Sequence, residues 1–179
     1  MKKLAIILSA LLLLTGCSSA AKTASPTPSQ SASENPYGAG FVVDPPADND
    51  VVLTVNGTST KDFTMAEISA LADEEISIME PFVKQEQSFK VVKIEKVLKG
   101  LGFKKTDKLS TVALNDYAFA DTYDNFIKNN AYIAVSRDGG PIPMDQGGPI
   151  RIVFATDSGY FGNLDAWNWS IRTIEIAKP

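Results

Sequence analysis

The chain has 179 residues, 44% of them hydrophobic, no histidine, a single cysteine and a formal net charge of -4 at pH 7. The missing histidine excludes Ser-His-Asp and Cys-His catalysis and histidine-based zinc sites, and one cysteine cannot form an intrachain disulfide. Lysines are scattered and the only arginines are Arg137, Arg151 and Arg172, which argues against a nucleic-acid surface.

Lys2 and Lys3 precede an almost wholly apolar run from Leu4 to Leu14, and Leu14-Thr15-Gly16-Cys17 then brings small residues up to the cysteine. A basic head, a short apolar core and a small-residue site describe an export signal. The core falls short of the roughly 20 apolar residues of a membrane span. The Leu-Thr-Gly-Cys ending resembles the lipobox of bacterial lipoproteins, whose cysteine receives diacylglycerol on its thiol before cleavage ahead of it. The resemblance implies a signal peptide over residues 1–16 and a lipid anchor at Cys17. It also implies a place on the outer face of the cell membrane, or on the periplasmic side where an outer membrane exists. Two acyl chains hold a protein to a bilayer stably.

Residues 17–49 read as a tether. "SSAAKTASPTPSQSASENP" has almost nothing to bury and stays solvated, and "FVVDPPADND" is a transition in which Phe41 and Val42 can tuck against the domain. The folded part is expected over residues 50–179. "VVLTVNG" is a strand ending in an Asn-Gly turn. "FTMAEISALA" is a short helix with Thr64 and Glu67 as a capping box and Met65, Ile68 and Leu71 as its apolar stripe. "EISIME" alternates as a strand up to Pro81. "VKIEKVLKGLGF" is a second helix with Gly102 at its C′ position.

Beyond it, "STVALNDYAFADTY" is a pair of strands around Asn115-Asp116. "AYIAVSRDGGPIP" is a strand and an Asp-Gly turn, "GGPIRIVFATD" a buried strand, and "WNWSIRTIEIA" a last strand with Ile171, Ile174 and Ile176 mostly inward. Many strands and few short helices without regular alternation predict an α+β, β-rich mixed fold.

The order and spacing of these pieces resembles the molybdopterin-binding domain of the sulfite oxidase family, over nearly all of residues 50–179. The resemblance implies that fold and, in its enzymes, a molybdopterin-dependent oxidoreductase. This sequence departs from the pattern where the cofactor is held. The family's molybdenum-ligating cysteine lies between the first two helices, and here that interval, "DEEISIMEPFVKQEQSFKVV", has none. Thiolate suits the metal, whereas Glu80, Gln85 and Ser88 are poor substitutes. The phosphate-gripping His-Gly-x-Pro-x-Arg loop reads Gln146-Gly147-Gly148-Pro149-Ile150-Arg151. The Lys of a Lys-Trp motif has become Asn168, before Trp169. No bound cofactor is therefore expected, and neither is catalysis.

The expected site centres on Arg151, which can fork onto a phosphate, sulfonate or carboxylate, or can pair with a nearby Asp and pin its loop. Gln146 and Asn168 are expected as neutral amides beside it. Gly147 and Gly148 admit a ligand or simply make the turn, and Tyr117 and Trp167 stand nearby. Trp167 and Trp169, two apart on a strand, face one side and Asn168 the other. "DSGYFGNLD" has oxygen ligands at loop spacing but lacks the EF-hand pattern. The reading is of a lipid-anchored, non-catalytic module that binds a small anionic ligand or an envelope protein. An oxidoreductase and a purely structural envelope protein are the alternatives.

Overall fold

The computed structural model describes residues 43–177. The expected signal peptide, Cys17, most of the expected tether, Phe41 and Val42 lie outside the described residues.

Nine strands and three short helices make up the described chain: β1 (Val51–Asn56), β2 (Thr60–Thr64), α1 (Met65–Leu71), β3 (Glu74–Met79), β4 (Glu86–Lys93), α2 (Ile94–Leu98), β5 (Lys108–Ala113), β6 (Ala118–Thr122), α3 (Tyr123–Lys128), β7 (Ala131–Arg137), β8 (Arg151–Phe154) and β9 (Ile171–Ile176). The strands form two sheets, ordered β2-β1-β9-β5-β6 and β3-β4-β7-β8. Only β1 and β9 run parallel, so the larger sheet is mixed. The fold is α+β and β-rich. One buried apolar cluster draws on both sheets, with Leu53, Val55, Leu109 and Ile174 from the first and Phe89, Val91, Ile133 and Ile152 from the second. No helix among the described residues is long and apolar enough to cross a membrane.

Local chemistry sets the element ends. The Glu67 N–H donates to Thr64 Oγ1 at 3.2 Å and the Thr64 N–H to Glu67 Oε2 at 2.9 Å, so the capping box forms at α1. The next turn's amides are met from upstream: Met65 N–H donates to Asp50 O and Ala66 N–H to Asp48 O. The folded part therefore begins before residue 50. Asp138 and Gly139 take positive φ in the β7 turn, where Asn, Asp and Gly are tolerated.

Several boundaries differ from expectation. The second helix is only Ile94–Leu98, and Gly100, at φ 80°, follows its Lys99 cap in place of Gly102. The residues before it form β4, which alternation alone does not reveal. Gln87, Phe89 and Val91 are buried in turn, but a register shift at Lys90/Val91 buries Val92 as well, and the run then reads as helical. The helix α3 was also hidden, although Thr122 caps it by accepting from Asn125 N–H and Tyr123 and Phe126 are buried at helical spacing. In β9, Ile171 and Ile174 are both buried, as expected, and the ladder slips beside Val112/Ala113. That bulge places residues three apart on one side.

Candidate functional site: an apolar groove beside a closed ion pair

Arg151 opens β8 and is fully buried. Its Nη2 donates to Glu80 Oε1 at 2.9 Å, and the Glu80 side chain is equally inaccessible. The other Glu80 oxygen accepts from Phe82 N–H at 2.8 Å and Val83 N–H at 2.9 Å. The guanidinium lies 4.3 Å from the Trp169 ring centroid, within cation–π range, and Nη1 reaches the Gln146 backbone carbonyl at 3.4 Å.

The expectation that Arg151 presents its charge in an open cleft is thus corrected. The partner is a glutamate 71 residues away, not a nearby Asp. Burial of a charge demands such a partner, so the arginine and glutamate close on each other and lock the turn from Pro81 to Lys84.

The other expected site residues separate. The Gln146 side chain accepts from Arg137 Nη2 at 2.5 Å. Asn168 is buried and donates Nδ2 to Thr111 O at 2.7 Å, so its amide turns to β5 and not to Arg151. Gly148 has no room for a side chain: a Cβ there would sit 1.9 Å from Ile142 O, which is a packing requirement rather than ligand access. Gly147, at φ 90°, lies under the Trp169 ring, where a Cβ would come within 3.0 Å.

Residues 167–169 are not in a strand. They follow a 3-10 turn at Leu164–Ala166. Both tryptophans nevertheless meet the Phe82 ring, edge-on, with centroids at 6.4 Å for Trp167 and 5.0 Å for Trp169.

What the structure does bring together is a groove in three connected stretches. The first, about 450 Å³, lies between Val43, Val51, Leu114 and Met144. The second, about 310 Å³, shares Val43, Leu114 and Met144 and adds Gly147 and Trp169. The third, about 390 Å³, shares Asn115 and Trp169 and is walled by Phe82, Tyr117, Leu164 and Trp167. Seven large apolar side chains are substantially exposed among the described residues, and all but Met79 line this run. Tyr117, Trp167, Asn168 and Gly147 thus belong to the groove, whereas Arg151 and Gln146 line none of its stretches.

Among the described residues Arg172 is the one cation that lines the groove, with its side chain 46% exposed. Arg172 lines the first stretch but is committed, with Nε on Ala113 O at 3.0 Å and Nη2 on Asp116. Tyr117 donates its hydroxyl to the Asp165 carbonyl at 3.0 Å, and burial together with the Asp165 charge pushes its ionisation above the usual tyrosine value. Phe82 and Leu164 were missed in the sequence. The only trace of Phe82 is a large aromatic in a turn after proline, which is compatible with any solvent-facing loop.

No three His, Cys, Asp or Glu side chains among the described residues cluster to hold a metal ion. In "DSGYFGNLD" the Ser158 hydroxyl is spent on Asn129 O at 2.6 Å. No protein-family model matches the chain, and no curated protein matches it.

Proposed function

We propose that the protein is a non-catalytic binding module, held at the outer face of the membrane by acylated Cys17 and a solvated tether, with the apolar groove as its working surface. One observation carries this reading: among the described residues, six of the seven exposed large apolar side chains line one groove. Clustered apolar exposure marks an interaction site, whereas scattered exposure does not. The lipobox-like leader supports the location.

The sulfite-oxidase-type architecture is proposed on the order of the elements. The residues present do not fit a molybdopterin cofactor. The domain has no thiol to ligate the metal, the arginine at the phosphate-gripping position is spent on Glu80, and Asn168 is turned to Thr111.

The reading is tested with a neutral solvatochromic dye titrated into the full chain carrying Cys17→Ser. A blue-shifted emission is expected, and it should be lost in Leu114→Asp and in Phe82→Asp variants that keep the wild-type circular dichroism. No response, or a response unchanged in both variants, would remove the groove from the function.

A further inference from the structure

We infer that two copies of the protein pair edge to edge through β3, antiparallel about a two-fold axis at Ser77, so that their four-stranded sheets join into one. The inference does not depend on the groove, so either can fail alone.

The backbone groups that β3 leaves over follow from its neighbour. In an antiparallel ladder each residue turns its N–H and C=O to one side, and successive residues alternate. Ser88 of β4 donates its N–H to Asp138 Oδ1 at 2.9 Å, and its carbonyl accepts from the Asp138 N–H at 2.7 Å. Both groups of Ser88 therefore face away from β3. Ser77 stands opposite Ser88, so its own N–H and C=O turn outward, and those of Glu75 and Met79 turn outward with them. Among the described residues no hydrogen bond from outside the sheet reaches the backbone of these three residues.

The edge is also unguarded. Lysine, proline and bulges are the usual protection of an exposed edge. β3 has neither lysine nor proline, and its ladder with β4 runs from Glu74 opposite Val91 to Met79 opposite Glu86 without a slip. By contrast, β2 carries Lys61 and meets a slipped register in β1. The outer side of β8 is taken, with Ile152 N–H donating to Asn168 O at 2.8 Å. The carboxylates of β3 turn back over their own sheet. Glu74 lies 3.5 Å from Lys93 Nζ and accepts from the Tyr132 hydroxyl at 3.2 Å, and Glu75 accepts from Ser88 Oγ at 2.5 Å.

The strand is complementary to itself in one direction only. Antiparallel pairing about Ser77 sets Ser77 against Ser77, Ile76 against Ile78 and Glu75 against Met79. All three outward residues then find a partner, and no two carboxylates of the strand face each other. The next pair, Glu74 against Glu80, falls where the chain has left β3, and the Glu80 charge is held by Arg151. A parallel copy in register would stack Glu74 on Glu74 and Glu75 on Glu75, and like charges directly opposite are destabilising. The antiparallel pair also covers Met79, which is 53% exposed and is the one large exposed apolar side chain outside the groove among the described residues. Because the axis uses both β3 edges, association stops at a dimer.

Sedimentation equilibrium tests this on the full chain carrying Cys17→Ser, loaded from about 1 μM to about 1 mM. A monomer–dimer equilibrium is expected. The Ser77 side chain is exposed and its N–H does not serve the ladder, a position where an edge strand tolerates proline. Ser77→Pro should raise the dissociation constant by roughly tenfold or more, through the lost central bonds. Ser77→Lys sets two ammonium groups across the axis and should raise it roughly fivefold. Salt at about 1 M should reverse most of the lysine effect by screening and none of the proline effect. Circular dichroism reports whether each variant keeps the fold, and Ser77→Lys, which changes only an exposed side chain, decides the matter if Ser77→Pro does not. A monomer at every concentration overturns the proposal. So does a dimer that the folded variants leave unchanged, or assembly that continues beyond the dimer. None of these results bears on the dye response of the groove.

Discussion

Glu80 and Arg151 form an ion pair from which water is excluded, with 2.9 Å between Oε1 and Nη2 and neither side chain accessible. Removing one partner strands a buried charge, which costs about 3–5 kcal/mol. Arg151→Met and Glu80→Gln should each destabilise by about that much in urea unfolding. The double variant should lose less than the sum of the two, because it leaves no lone charge. Strict additivity would show that the residues act separately and that the pair is not what locks the turn from Pro81 to Lys84.

Gly148 is fixed by backbone contact. Because the obstacles are the Ile142 and Pro143 carbonyls and not a flexible side chain, Gly148→Ala should cost about 1–3 kcal/mol or more. Gly162→Ala, where a Cβ meets nothing within 4 Å, should be close to neutral. Thermal melts of the two variants decide this, and equal melting temperatures would contradict the packing at the start of β8.

The Asp121–Tyr160 hydrogen bond ties stability to pH at both ends. At Asp121 burial by itself raises the carboxyl. Hydrogen bonds from the Tyr160 hydroxyl, the Thr122 N–H and Asn125 Nδ2 outweigh it, so the folded-state value lies below the usual range. That contribution is present above the unfolded value of about 3.9 and is lost as pH falls through the folded one. At Tyr160, burial and the bond to Asp121 push the phenol well above its ordinary value. Its contribution is full below about pH 10 and is lost as pH rises through the folded value. Tyr160→Phe should flatten the alkaline loss of stability and Asp121→Asn the acid loss, measured by denaturant unfolding across pH. Unchanged slopes in both would disprove the linkage.

Lipidation is tested in cells. Cys17→Ser should release the protein from membranes or leave an unprocessed precursor, and an unmodified thiol on mature protein by mass spectrometry would refute the anchor. A chain beginning at Asp48 should melt within a few degrees of one beginning at Ser18, because the tether lacks apolar surface to bury. A chain beginning at Val51 should melt lower, since Met65 and Ala66 lose the Asp50 and Asp48 carbonyls that cap α1.

The sequence by itself determined the features whose causes lie within a few residues. Thr64 and Glu67 are three apart, so their reciprocal bonds are a local fact. The turn at Asp138 and Gly139 needs only residues that tolerate positive φ. The burial of Ile152, Val153 and Phe154 in β8 followed from their apolar run. Where a bulge interrupted the period, at Lys90/Val91, the pattern misled.

Tertiary structure alone decided the chemistry. The same run of residues from Gln146 to Arg151 is compatible with an open anion site or a closed ion pair, and the choice fell to a carboxylate 71 residues earlier in the chain. Likewise Phe82, Tyr117 and Trp169 come from three separate stretches, and nothing in their spacing shows that they wall one groove. A desolvated charge must find whichever partner the folded backbone brings within reach, and long-range partners leave no periodic mark in the sequence.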